Sequence, residues 1–284
     1  MLLPSFLGTA VFVVYPILWV IRWCLFKYDG TFTAMFVGAG NFVAAFRDMD
    51  FWRSVLNTFI FAFGKLSIEL PLALVIAVIL NSKLRARNAY RVIFFLPAVI
   101  SDAVIGVVFA FIFASYNGVA NNLLRSVGLL QRPISWFSDQ WLAMGILGVA
   151  SIWQNFGINM IFFLTGLQSI PQELYECAEL DGAPKRSQFF HITIPMLGPV
   201  LQVVIMLATL GSLRITELVL VLTGGRPAGT TEVMMTYVYK RFFALYYAAS
   251  NYGYASSLGI IASVILGVMT FFFLRYTNKR ASLY

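Results

Sequence analysis

Six stretches of this chain, at about 2–26, 54–80, 92–114, 141–167, 196–222 and 254–274, are each some twenty residues or more of nearly uninterrupted apolar sequence. A helix rises about 1.5 Å per residue, so about 20 apolar residues cross the roughly 30 Å hydrocarbon core of a bilayer. Inside lipid every backbone polar group must be satisfied within its own segment, which a helix does and a single open strand does not. The chain is 60% hydrophobic and 11% charged, a composition that a water-soluble domain does not sustain. The expected fold is therefore an all-α integral membrane protein with six transmembrane helices in a single domain spanning 1–284.

The first stretch lacks the basic start and the small-x-small cleavage site of a secretory leader, and it carries Trp19 and Trp23. It reads as a retained span kinked near Pro16. No Lys or Arg precedes it, so a native chain longer at the N-terminus is expected. The net charge of +8 is spread over short connecting loops, where it suits topology better than nucleic acid. Residues 81–91 are the densest case, with Lys83, Arg85, Arg87 and Arg91. Cys24 and Cys177 lie far apart along the chain and support neither a disulfide nor a metal framework. His191 has no ligand-type neighbour at suitable spacing and reads as a loop histidine. There is no phosphate-binding G-x-x-x-x-G-K-[ST], no paired acids at acid/base spacing and no nucleophile with a base, so no enzyme chemistry is expected.

Between the fourth and fifth stretches lies a polar segment, Ser169 to Pro199. Ser169-Ile-Pro-Gln172 has capping-box spacing, Glu173 and Glu176 suit a helix N-terminus, and Gly182 followed by Pro184 ends the helix. A helix over about 172–182 is expected, with Leu174, Cys177 and Ala178 on one face. Such a short helix is not stable alone and needs a surface to lie against. Glu176-Cys-Ala178, three residues, Gly182, nine residues, then Ile192 and Ile194-Pro195 resembles the "EAA" signature of permease subunits of sugar-type ABC importers. Cys177 for Ala and Ile194 for Leu are the two departures, and both are small or volume-conserving. Asp181-Gly-Ala183 and Pro199 extend the likeness, as does Arg91 with Phe94-Phe-Leu-Pro97.

The resemblance implies a cytoplasmic coupling helix, with Leu174, Tyr175, Glu176, Ala178, Asp181 and Gly182 docking against an ATPase subunit. It implies a second, related permease subunit, two ATPase subunits holding ATP and Mg, and an extracytoplasmic solute-binding protein. Chain ends would lie in the cytoplasm of a bacterial or archaeal cell, and the cargo would be a sugar or oligosaccharide moved by alternating access. A polyol, glycerol-phosphate or other polar solute is the alternative cargo. A self-sufficient secondary transporter is the rival class, although no second copy of the Gly182 loop supports internal repeats.

Polar residues within spans mark functional candidates. Lys65 and Glu69, four apart, are read as neutralising one another against the bundle. Asn155 and Asn159 share a face with Ser151, as pocket lining or as interhelical glue. Arg214 and Glu217, three apart, are placed to pair on one face or to line a wet cavity, and the family resemblance favours the path. Thr223-Gly-Gly-Arg-Pro227 resembles the family's T-x-G-G-P at an outer loop, which gives Arg226 a possible contact with cargo or binding protein.

Overall fold

The computed structural model describes residues 3–30, 34–82, 85–243 and 251–281, the last six without their side chains. Lys83, the side chains of Lys279 and Arg280, and both chain ends lie outside the described residues. Four continuous helices are long and apolar enough to cross a membrane: α1 (Leu3–Trp23), α3 (Met49–Asn81), α7 (Gln140–Gln168) and α13 (Tyr252–Ala281). Between α1 and α3 stand a hairpin, β1 (Phe26–Tyr28) and β2 (Ala34–Phe36), and the short helix α2 (Gly40–Arg47).

The third and fifth expected spans are bent pairs, so six spans hold when each pair counts as one. Helix α4 (Arg87–Val99) meets α5 (Asp102–Ile112) at 95°, and α9 (Lys185–Met196) meets α10 (Gly198–Leu213) at 67°. The first break follows a 3₁₀ turn at Leu96–Val99 that contains Pro97, after which Ile100 and Ser101 are extended. The fifth span breaks again at residues 214–216, before α11 (Glu217–Leu222). Helices α6 (Val119–Ser126), α8 (Gln172–Leu180) and α12 (Met234–Phe242) occupy the connections.

Two π-helical segments, Ala10–Val14 and Phe189–Thr193, each stop two residues before a proline, Pro16 and Pro195. A proline ring crowds the carbonyl four residues earlier, and a widened turn accommodates it. Where a kink is expected at Pro16, the chain makes a π bulge within one continuous helix.

Helices α3 and α7 form the central packed pair, with α10 crossing both. At the α8 end the core holds Ala73, Ala77 and Leu80 of α3, Met160 and Phe163 of α7, and Leu197 and Val204 of the fifth span. Beyond the polar middle, Phe61, Ile105, Met144, Leu147 and Leu218 join α3, α5, α7 and α11. Close approach is built into α7 at Gly157, where an added Cβ would lie 1.9 Å from the Phe94 carbonyl oxygen of α4. Helix α1 has no buried residue and touches the bundle along α13, leaving most of its surface for lipid.

At the end away from α8, Asp48 ties three helices together. Its Oδ1 caps α3 by accepting from the Asp50 and Phe51 amides at 3.1 and 3.3 Å. Its Oδ2 accepts from the hydroxyls of Tyr237 on α12, at 2.6 Å, and Tyr254 on α13. Burial works against the charged form of Asp48, but the Tyr237 and Tyr254 hydroxyls, the Phe51 amide and the nearby Arg241 charge outweigh it. Its carboxyl therefore lies below the usual 3.8. A depressed carboxylate stabilises the fold above its unfolded pKa, and that contribution is lost as pH falls through the folded value. Thermal unfolding in detergent should show this loss below about pH 4. Asp48→Asn should remove that acid limb and cost about 1.5–3 kcal/mol at neutral pH.

Candidate functional site

A cavity of about 440 Å³ opens between α3, α5, α7, α10 and α11, at the level where the third and fifth spans are broken. Its polar wall begins with Lys65 and Glu69, one helical turn apart on α3 and both buried. Lys65 Nζ lies 3.2 Å from Glu69 Oε2, an ion pair angled away from hydrogen-bond geometry. Lys65 also donates to Ser212 Oγ of α10 at 3.1 Å, and Asn159 Nδ2 of α7 donates to Glu69 Oε1 at 2.6 Å. One buried pair therefore stitches three spans together along the cavity. The neutralisation expected from the sequence is present, and it forms part of the wall.

Asn155 and Ser151 line the same cavity, with Asn155 Nδ2 donating to the Ser151 carbonyl at 2.9 Å. Asn159 both lines the cavity and binds helices together, so its two expected roles coincide. Two polar lining residues, Asp102 and Gln154, had no part assigned from the sequence. Gln154 Nε2 donates to Asp102 Oδ1 at 2.7 Å and to the Ile100 carbonyl at 3.1 Å, pinning the bend between α4 and α5. The signal was legible on α7: Ser151, Gln154, Asn155 and Asn159 fall on one helical stripe.

Arg214 lines the cavity at the end of α10, but Glu217 does not. Of the two alternatives for these residues, pairing is not seen among the described residues, because the helix stops at Leu213 and Thr216 adopts φ −139°, ψ −63°. Glu217 instead opens α11, where a carboxylate suits the helix N-terminus. Arg226 is exposed, its Nε donating to the Thr223 carbonyl at 3.0 Å and its guanidinium 5.8 Å from the Phe137 ring centre.

Helix α8 lies at the far end of α7. It ends in a Schellman turn: Gly182 N–H donates to the Glu179 carbonyl at 3.0 Å and Ala183 N–H to that of Ala178 at 2.9 Å, with Gly182 at φ +76°. Its expected start is different. Pro171 is the N-cap, and Ser169 Oγ is spent on the Gly166 carbonyl of α7 at 2.8 Å, so no capping box forms. Gln172 Nε2 reaches Glu176 Oε1 at 2.9 Å.

The helix presents two faces. Tyr175 and Ala178 turn toward the subunit's own core and are half-buried, whereas Glu173, Glu176, Cys177 and Leu180 are exposed. Leu180, not singled out by its spacing, is 89% exposed and Leu174, on the flank, 40%. Asp181 and Gly182 are exposed at the tip. Leu180 and Leu174 thus expose apolar surface on this helix, together with the free, exposed thiol of Cys177.

The chain matches the family described as binding-protein-dependent transport system inner membrane component over residues 69–283. The chain belongs to that family. This permease is 34% identical to the lactose transport system permease protein LacF of Rhizobium radiobacter, over 94% of this chain and 89% of that one. It is 31% identical to the trehalose/maltose transport system permease protein MalF of Thermococcus litoralis, over 99% and 93%. The crystal structure of a bacterial ABC transporter involved in import of the acidic polysaccharide alginate superposes with a TM-score of 0.84 at 25% identity, covering 98% of this chain and 94% of that chain. The protein is thus a multi-pass inner-membrane permease component of an ABC transport system, and not a catalytic subunit.

Proposed function

We propose that this permease forms one half of the path of a saccharide importer, paired with a related permease, two ATPase subunits and an extracytoplasmic binding protein. The observation that carries this reading is the polar cavity amid the spans, with α8 projecting from the bundle beyond it. A carboxylate, a guanidinium, amides and a hydroxyl in one cavity offer both acceptors and donors, as a polyhydroxylated cargo requires. LacF and MalF, both named for sugars, support this cargo class. Helix α8 would sit in the cytoplasm against an ATPase, with Cys177 and Leu180 central, Leu174, Glu176, Asp181 and Gly182 around them, and both chain ends on that side.

A specific observation favours a second reading of the cargo. Arg214 is a cavity-lining cation that forms no ion pair among the described residues, which suits an acidic saccharide. Uptake into membrane vesicles holding the assembled importer, with neutral and uronate oligosaccharides as probes, tests both. Arg214→Ala and Asp102→Asn should each lower uptake about tenfold or more, the value of one charge-assisted hydrogen bond, while the ATPase subunits stay bound. A selective loss of uronate uptake in Arg214→Ala supports the acidic cargo. Unchanged uptake in both variants overturns the cavity as the path.

A further inference from the structure

Helix α8 is tethered to its own subunit and not packed solidly upon it. A cavity of about 460 Å³ lies beneath it, walled by the ends of α3 and α7 and by α9. Tyr175 crosses this gap. Its ring joins the edge of the core at the α8 end, and its hydroxyl lies 2.9 Å from Thr193 Oγ1. Thr193 is buried and is the last residue of the π-helical segment Phe189–Thr193, two residues before Pro195 and immediately below the bend into α10. A second tie, Gln188 Nε2 to the Ala183 carbonyl at 2.9 Å, holds only the loop that follows Gly182. Among the described residues, the tyrosine is therefore the side chain whose hydrogen bond ties the helix body to the fifth span.

We infer that the Tyr175–Thr193 hydrogen bond is the link by which displacement of α8 is passed to the base of the fifth span, making Tyr175 a positioning residue rather than an ATPase contact. The inference rests on the importer reading above. The geometry suits the task, because a π segment ahead of a proline has already given up regular hydrogen bonding and rearranges at little further cost. A displaced α8 then pulls on the bend at Leu197, and α10 carries Ser212, which holds the wall residue Lys65, and leads directly into Arg214 at the cavity wall.

The test uses the importer assembled with its ATPase subunits in mild detergent, with ATP and vanadate as the probe and hydrogen exchange of residues 198–213 as the readout. Wild type should show a change in exchange on adding ATP and vanadate. Tyr175→Phe and Thr193→Val should each cut that response roughly fivefold, the weight of one hydrogen bond in a coupling equilibrium. Thr193→Ser, which keeps the hydroxyl, should restore it. ATPase retention should be unchanged in all three. Any loss of thermal stability in Tyr175→Phe and Thr193→Val should be no larger than one hydrogen bond gives. The response then falls in a protein that is still folded and assembled, a pattern that a merely structural role does not give. Wild-type response in Tyr175→Phe and Thr193→Val overturns the link and leaves the importer reading intact. Loss of ATPase retention in Tyr175→Phe alone also overturns it, by placing the tyrosine in the docking contact. Failure of wild type to hold any ATPase overturns both readings at once.

Discussion

Glu69→Leu in a chain that keeps Lys65 is expected to cost about 3–5 kcal/mol of stability, the penalty for stranding one buried charge without its partner. The side chains are 5% and 0% exposed, so water makes up little of the solvation that is lost. The double variant Lys65→Met, Glu69→Leu should recover more than half of that loss, because similarly sized apolar groups often replace a buried pair at little net cost. Recovery should stop short of complete, since Asn159 Nδ2 then loses its acceptor and Ser212 its donor. Thermal unfolding of the purified complex measures each variant. A single-variant cost below about 1 kcal/mol, the range of exposed pairs, would show the ion pair to be solvated. The double variant also separates stability from transport. If the pair only neutralises, uptake follows the recovered stability; if it shapes the wall, uptake stays low in a stable protein.

Much of the architecture was legible from the apolar runs, because the bilayer's thickness sets helix length directly. The bends in the third and fifth spans were not, since Ile100 and Leu197, where the helices break, are apolar and leave no mark in the hydropathy. Pro97 and Pro195 were visible, but a proline alone leaves open whether the chain bulges, as before Pro16, or turns through 95°, as after Pro97. The same blindness produced the Arg214–Glu217 pair, whose three-residue spacing has meaning only on an unbroken helix. Spacing alone did put Ser151, Asn155 and Asn159 on one face, because α7 is continuous, and that face borders the cavity. On α8 the helix and its glycine stop were readable from local chemistry. The rotation of the helix about its axis was not: Tyr175 is drawn inward by Thr193, eighteen residues on, and that contact leaves Leu180 outside.

Leu180→Glu is expected to abolish retention of the ATPase subunit without disturbing the permease fold. Leu180 touches little in this chain, so the substitution removes almost no intramolecular packing. In a docked complex it would bury a carboxylate beside Glu173 and Glu176, which share its face. Loss of a central apolar anchor costs at least about 2 kcal/mol, roughly a thirtyfold weakening, before that repulsion is added. Cys177, free and exposed on the same face, reports on the contact, while Cys24 is buried. The deciding measurement is maleimide labelling of Cys177 in the importer extracted in mild detergent, before and after the ATPase subunits are stripped away. The account predicts protection in the assembled wild type, and full reactivity once the ATPase is removed or Leu180 is replaced by Glu. Equal reactivity of Cys177 with and without a bound ATPase would contradict it.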